Sequence, residues 1–173
     1  MPENYQDIEH SFDPDSVTPS ASTLRRVLFR TATRADLPAV IALLADDMLG
    51  KARDFTVVDD TYERAFAAID ADPRSLLAIA DDDGEVIGCM QITYIPGLGR
   101  HGAERAQFEA VRIRSDRRGN GLGRQFMAWA IDQARDRGCA LVQLTTDKAR
   151  TDAHRFYVAL GFVASHEGMK LAL

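Results

Sequence analysis

The stretch "RIRSDRRGNGLGRQFMAWAIDQARDRG", residues 112–138, sets Gly119, Gly121 and Gly123 among arginines at the start of a helix. The spacing predicts an amphipathic helix from Gly121 to Arg137. Leu122, Phe126, Trp129, Ala130 and Ala134 fall on one stripe, while Arg124, Asp132, Arg135 and Asp136 lie largely off it. Its C-terminus is orthodox: Arg135 and Arg137 sit near the negative end of the dipole, and Gly138 is free to take the left-handed cap conformation. The N-terminus is not. A helix start favours Asp or Glu, yet Arg117, Arg118 and Arg124 surround this one and no acid follows Asp116 in the first turn. Backbone N–H groups without intrahelical acceptors, a positive dipole end and glycines that admit a ligand to the main chain together suit an anion, most naturally a phosphate. A tight strand-to-helix turn with solvated arginines accounts for the same residues without a ligand, and the segment alone leaves both readings standing.

A phosphate site of the P-loop kind requires GxxxxGK[ST]. Here Gly119, Gly121 and Gly123 are followed by Arg124 and Gln125, with neither the lysine nor the hydroxyl that would serve magnesium. A dinucleotide fingerprint requires G-x-G-x-x-G, whereas these glycines run G-x-G-x-G. Asp147, near the end of the next strand, keeps a ribose-binding reading open as an alternative.

Working outward, "RVLFRTAT" alternates like a first strand, and "RADLPAVIALLADDML" has the apolar spacing of a helix, with Thr33 as N-cap and Asp36 three residues on. "DDTYERAFAAIDAD" predicts a second helix that stops before Pro73. The period then changes to two in "SLLAIADDDGEVIGCMQITYI", a hairpin turning at Asp-Asp-Asp-Gly, and "AQFEAVRIRS" resumes the strand pattern after a Gly-rich connection. Beyond the opening stretch come a strand "ALVQLTT", a helix "TDAHRFYVAL" closed by Gly161, and final strands "FVAS" and "GMKLAL". The hairpin excludes a purely parallel wound sheet. Residues 1–24, rich in Pro, Ser, Asp and Glu, read as a flexible leader before a single domain over residues 25–173.

The net charge of −5 argues against nucleic acid as the main partner. No apolar run approaches a membrane span, and the N-terminus lacks the layout of a secretory or transit signal, so a cytoplasmic location is expected. Cys89 and Cys139 lie outside any CxxC spacing and read as free thiols; His10, His101, His154 and His166 show no metal-ligand spacing, and no metal is expected.

"RRGNGLG", after a strand and before an amphipathic helix, resembles the acyl-CoA pyrophosphate loop of the GNAT superfamily of N-acetyltransferases, in the residues Arg118, Gly119, Asn120, Gly121, Leu122 and Gly123. "AHRFYVALGF" resembles a second feature of that family, and the element order matches from about residue 25 onward. The resemblance implies an α/β single-domain GNAT-like fold, a mixed and mostly antiparallel sheet of about seven strands flanked by about four helices. It implies acetyl-CoA as cosubstrate and an amine acceptor; because nothing in the sequence resembles a peptide groove, a small-molecule amine is expected rather than a protein. Glu109 is carried over as the general base, and Tyr157 as the acid that protonates the departing CoA sulfur. The backbone of Val111, Arg112 and Ile113 is carried over to the pantetheine arm, and Arg117 through Arg124 to the pyrophosphate. By strand alternation Glu109, Val111 and Ile113 would share one face, which would leave Glu109 among apolar neighbours. Arg150 stands where many members have an Asn that bonds the CoA arm; it could meet a CoA phosphate or face solvent. Dimerisation is common in the family, and the exposed edge of a C-terminal strand is one route to it. Against the acetyltransferase stand a CoA- or nucleotide-binding module without chemistry and an NAD-dependent enzyme.

Overall fold

A computed structural model describes residues 27–46 and 57–172; the leader expected over residues 1–24 lies outside the described residues. The chain divides into two compact units, one of Thr23–Leu144 and one to which Thr145–Leu173 belong.

The first unit is built on a sheet in the order β1-β2-β3-β4-β5, with β1 Leu28–Thr31, β2 Ser75–Asp82, β3 Glu85–Ile95, β4 Arg105–Ile113 and β5 Leu141–Leu144. The first four strands are antiparallel and β5 runs parallel to β4. The β2–β3 hairpin closes through Asp83 and Gly84, both at positive φ, the geometry that an Asp-Gly pair supplies most cheaply. Helices α1 (Leu37–Ala45) and α2 (Asp60–Ala71) pack on one face of the sheet, where Val40, Ile41 and Phe66 meet Leu77, Ile79 and Cys89. The Asp59 carboxylate caps α2 by accepting from the N–H groups of Thr61 and Tyr62. A four-residue turn, α3 (Gly99–Gly102), precedes β4. The long helix α4, Leu122–Asp136, buries Leu122, Phe126, Met127, Ala130 and Ala134, which is the expected stripe with Met127 added and Trp129 only half-buried. Phe29 of β1 stacks on Phe126 with ring centroids 5.1 Å apart, and Trp129 lies beside both.

A charged knot holds the start of α1 against the sheet. The Arg30 guanidinium donates to both oxygens of Asp36, at 2.8 and 2.9 Å, and its Nε donates to Asp81 at 2.9 Å. The backbone N–H and hydroxyl of Thr33 donate to the same Asp36 carboxylate at 2.7 and 2.8 Å. Asp36 and Asp81 are buried, so these contacts replace lost water. Arg30 is the chief cause that holds the Asp36 carboxyl down at about 2. Because this pKa is depressed in the folded state, the linked stability is present above the ordinary value near 4 and is lost as pH falls from there toward 2; it is worth about 2 kcal/mol. Arg30→Ala should therefore cost about 3 kcal/mol at neutral pH, since it strands buried carboxylates. Denaturant melts at pH 7 and pH 3 check this: the gap between wild type and variant should narrow at the acid end.

The second unit, as described, contains α5 (Thr151–Val158) and an irregular tail. Here the structure corrects the sequence reading. The strands expected in "FVAS" and "GMKLAL" are absent among the described residues, so the sheet there has five strands rather than seven. Val163, Met169 and Leu171 are exposed. Alternation makes a segment fit to pair, but a strand also needs a neighbouring ladder.

Candidate active site

The residues singled out in the opening stretch form a solvent-open loop. Arg118, Gly119, Asn120 and Gly121 are all exposed. Gly119 and Gly121 have φ of +84° and +79°, a left-handed conformation that glycine adopts without cost. Gly121 is the N-cap of α4; it has no side chain to satisfy the first helical N–H groups, and no acid stands in the first turn. A Cβ built on either glycine meets nothing within 4 Å, so both glycines face open space.

The arginines divide into two groups. Arg117 Nη2 lies 3.0 Å from Oδ2 of the buried Asp82 and 3.5 Å from Oε2 of Glu85. Arg114 donates to Glu85 and to Asp116, at 2.6 Å each, and holds both carboxyls below the usual carboxylate range. Arg117, carried over above as a phosphate ligand, is thus engaged with carboxylates at the tip of the β2–β3 hairpin, where it anchors the loop. Arg118 donates from Nε to the Ile113 carbonyl at 2.8 Å, which ties the loop to the end of β4 while the rest of its exposed guanidinium faces outward. Arg124 is half-buried in the first turn of α4.

The strand that enters this loop is irregular. Ala110 has φ +53°, and the β3–β4 register slips there: Gln91 faces Glu109, but Cys89 faces Arg112. Three steps on β4 match two on β3, so β4 carries a bulge of one residue. Gln91 and Cys89 share a face, and therefore Glu109 and Arg112 share it too. Ile113, opposite Gly88, packs instead with Ala80, Ile87 and Leu122 on the α4 side. The expectation that Glu109, Val111 and Ile113 lie on one face is overturned by that extra residue. Glu109 is exposed, so the apolar flanking expected of it is missing as well.

Pairing of β4 with β5 covers only Arg105 to Phe108. From Glu109 to Ile113, β5 offers β4 no partner, and this open stretch of backbone leads directly into the glycine loop. On the α1/α2 side lies a cavity of about 190 Å³ lined mainly by apolar residues, including Ile41, Tyr62, Phe66, Cys89, Gln91 and Ala110. Burial pushes the Cys89 thiol up to about 12, which keeps it neutral.

In the second unit Tyr157 is half-buried, edge-on to Phe156 and Phe162 at 5.3 and 5.8 Å. Arg150 is the N-cap of α5, where its carbonyl accepts from the His154 N–H.

The profile of the GNAT acetyltransferase family matches residues 38–162. The chain belongs to this family. It is 33% identical over 137 residues to an aminoalkylphosphonate N-acetyltransferase of Salmonella typhimurium, a match that covers 79% of this chain and 85% of the relative. A solved structure of a transcriptional regulator from Bacillus halodurans superposes with a TM-score of 0.83 at 45% identity, covering 86% of this chain and all of that one. Glucosamine-6-phosphate N-acetyltransferase from Arabidopsis thaliana shares the fold, with a TM-score of 0.72 at 19% identity over 85% of this chain and 98% of the other. The sequence reading of an α/β GNAT acetyltransferase therefore holds.

Three features escaped that reading: the bulge, the carboxylate partners of Arg114 and Arg117, and the cavity. The second left a trace, because the acids at Asp81, Asp82, Asp83 and Glu85 crowd one hairpin tip and call for cations from a neighbouring strand.

Proposed function

We propose that the chain transfers the acetyl group of acetyl-CoA to the primary amine of a small molecule, by direct attack. In this reading the pyrophosphate meets the N-terminus of α4 and the loop of Arg118 to Gly123. The pantetheine arm lies along the open backbone of Val111, Arg112 and Ile113, as an added strand would. Glu109 takes a proton from the ammonium, directly or through water, and frees its lone pair. The nitrogen attacks the thioester carbonyl carbon, a backbone N–H of β4 stabilises the oxyanion, and as the C–S bond breaks the nitrogen sheds its second surplus proton to water, which leaves a neutral amide. The CoA thiolate leaves with a proton from Tyr157, whose phenol, near pKa ~10, is protonated at neutral pH. The roles of Glu109 and Tyr157 are carried over from the family resemblance.

The observation that carries this reading is the opening of β4 beyond Phe108, which runs straight into a glycine loop at an uncapped helix N-terminus. The Salmonella relative, named for the acetylation of an amine, supports the reaction class. Calorimetric titration with acetyl-CoA, with NAD and ATP as parallel controls, tests the reading. Micromolar binding of acetyl-CoA alone, followed by thiol release in the presence of amines, is the expected result. Preference for NAD would overturn it, and binding without thiol release against any amine would reduce the protein to a CoA-binding module.

A further inference from the structure

Resting on the acetyltransfer reading above, we propose that the acceptor is an amine on an apolar body, seated in the cavity between α1, α2 and β3 with its nitrogen toward Glu109. The position follows from the sheet. Gln91 and Ala110 both line the cavity; Gln91 lies directly opposite Glu109 and Ala110 follows it in the chain. Residues facing each other across an antiparallel pair hold their Cβ atoms about 5 Å apart on one face, so the carboxylate of Glu109 stands beside the wall that Gln91 forms.

The chemistry follows from the lining. Leu37, Val40, Ile41, Leu44, Phe66 and Leu77 make most of it, and no charged side chain lines it among the described residues. An apolar body gains by leaving water for such a wall, whereas a phosphonate or carboxylate would lose its hydration with no cation among the described lining residues to meet it. Size is limiting as well: an apolar cavity of about 150 Å³ holds benzene, and this one is about 190 Å³. A short alkyl chain or a single ring fits. The neutral thiol of Cys89 adds apolar surface.

The test is thiol release by the full-length protein with the linear amines from ethylamine to hexylamine, beside 2-aminoethylphosphonate. Nitrogen basicity barely changes along the linear series, so the trend reports the fit of the body. The expected kcat/KM rises about threefold per methylene until the cavity is filled, and butylamine exceeds 2-aminoethylphosphonate by at least ~10-fold. Ala65 lines the cavity from an exposed position on α2, so Ala65→Phe should narrow the mouth without disturbing the core. That variant should flatten the series while calorimetry shows unchanged acetyl-CoA affinity. A flat wild-type series, a preference for the phosphonate, or an Ala65→Phe variant that slows ethylamine and hexylamine equally would each overturn the inference and leave acetyl transfer standing. Absence of acetyl-CoA binding by the wild type would instead sink the acetyl-transfer reading, and this one with it.

Discussion

Gly121→Asp should weaken acetyl-CoA binding at least ~100-fold while the protein stays folded. The side chain itself meets no obstacle, because a Cβ at Gly121 has nothing within 4 Å. The left-handed φ of +79° is one that Asp tolerates better than most residues. What changes is charge. A carboxylate at the N-cap of α4 would occupy the positive end of the dipole and face the incoming pyrophosphate, and like charges brought together cost several kcal/mol. Gly121→Ala separates the two effects, since a methyl group brings only about 1 kcal/mol of backbone strain. Calorimetry on both variants, with thermal melts beside it, reads the result. Wild-type affinity in Gly121→Asp would move the phosphate away from this loop.

Glu109→Gln should lower kcat at pH 7 by about 10²- to 10³-fold, the range a general base supplies, and leave acetyl-CoA affinity as it was. The pH profile is the sharper measurement. An alkyl ammonium loses its proton near ~10.4, so each unit of pH below that removes about nine-tenths of the remaining free amine. If Glu109 delivers the free amine, raising the pH substitutes for it, and the deficit of the variant should shrink steadily toward pH 10. A deficit equal at every pH would give Glu109 some other task, such as orienting the acceptor. Tyr157→Phe should show a smaller loss, about tenfold, because water can also protonate a thiolate.

The local features were the legible ones. The α4 stripe, the Gly138 cap, the Asp83–Gly84 turn and the glycine loop each depend on residues a few positions apart, and each declares itself by spacing. Features that depend on partners far along the chain were not. Arg117 read as a ligand-seeking cation because the carboxylate it meets, Asp82, lies on another strand. Met169 and Leu171 alternate like a strand, but no described neighbour pairs with them. The bulge at Ala110 carried no signal: alanine is an ordinary strand occupant, and glycine or proline would have been the usual marker.

That bulge has a meaning in the gene. Deleting the codon for Ala110 would leave every other pairing of β3 and β4 in place, with Glu109 still opposite Gln91, Arg112 opposite Cys89 and Ile113 opposite Gly88. The healed ladder would run straight. The surplus residue falls between Phe108, where the pairing with β5 ends, and the glycine loop, so a β4 shortened by that one codon would separate what the bulge contributes to the site from what the end of β5 contributes.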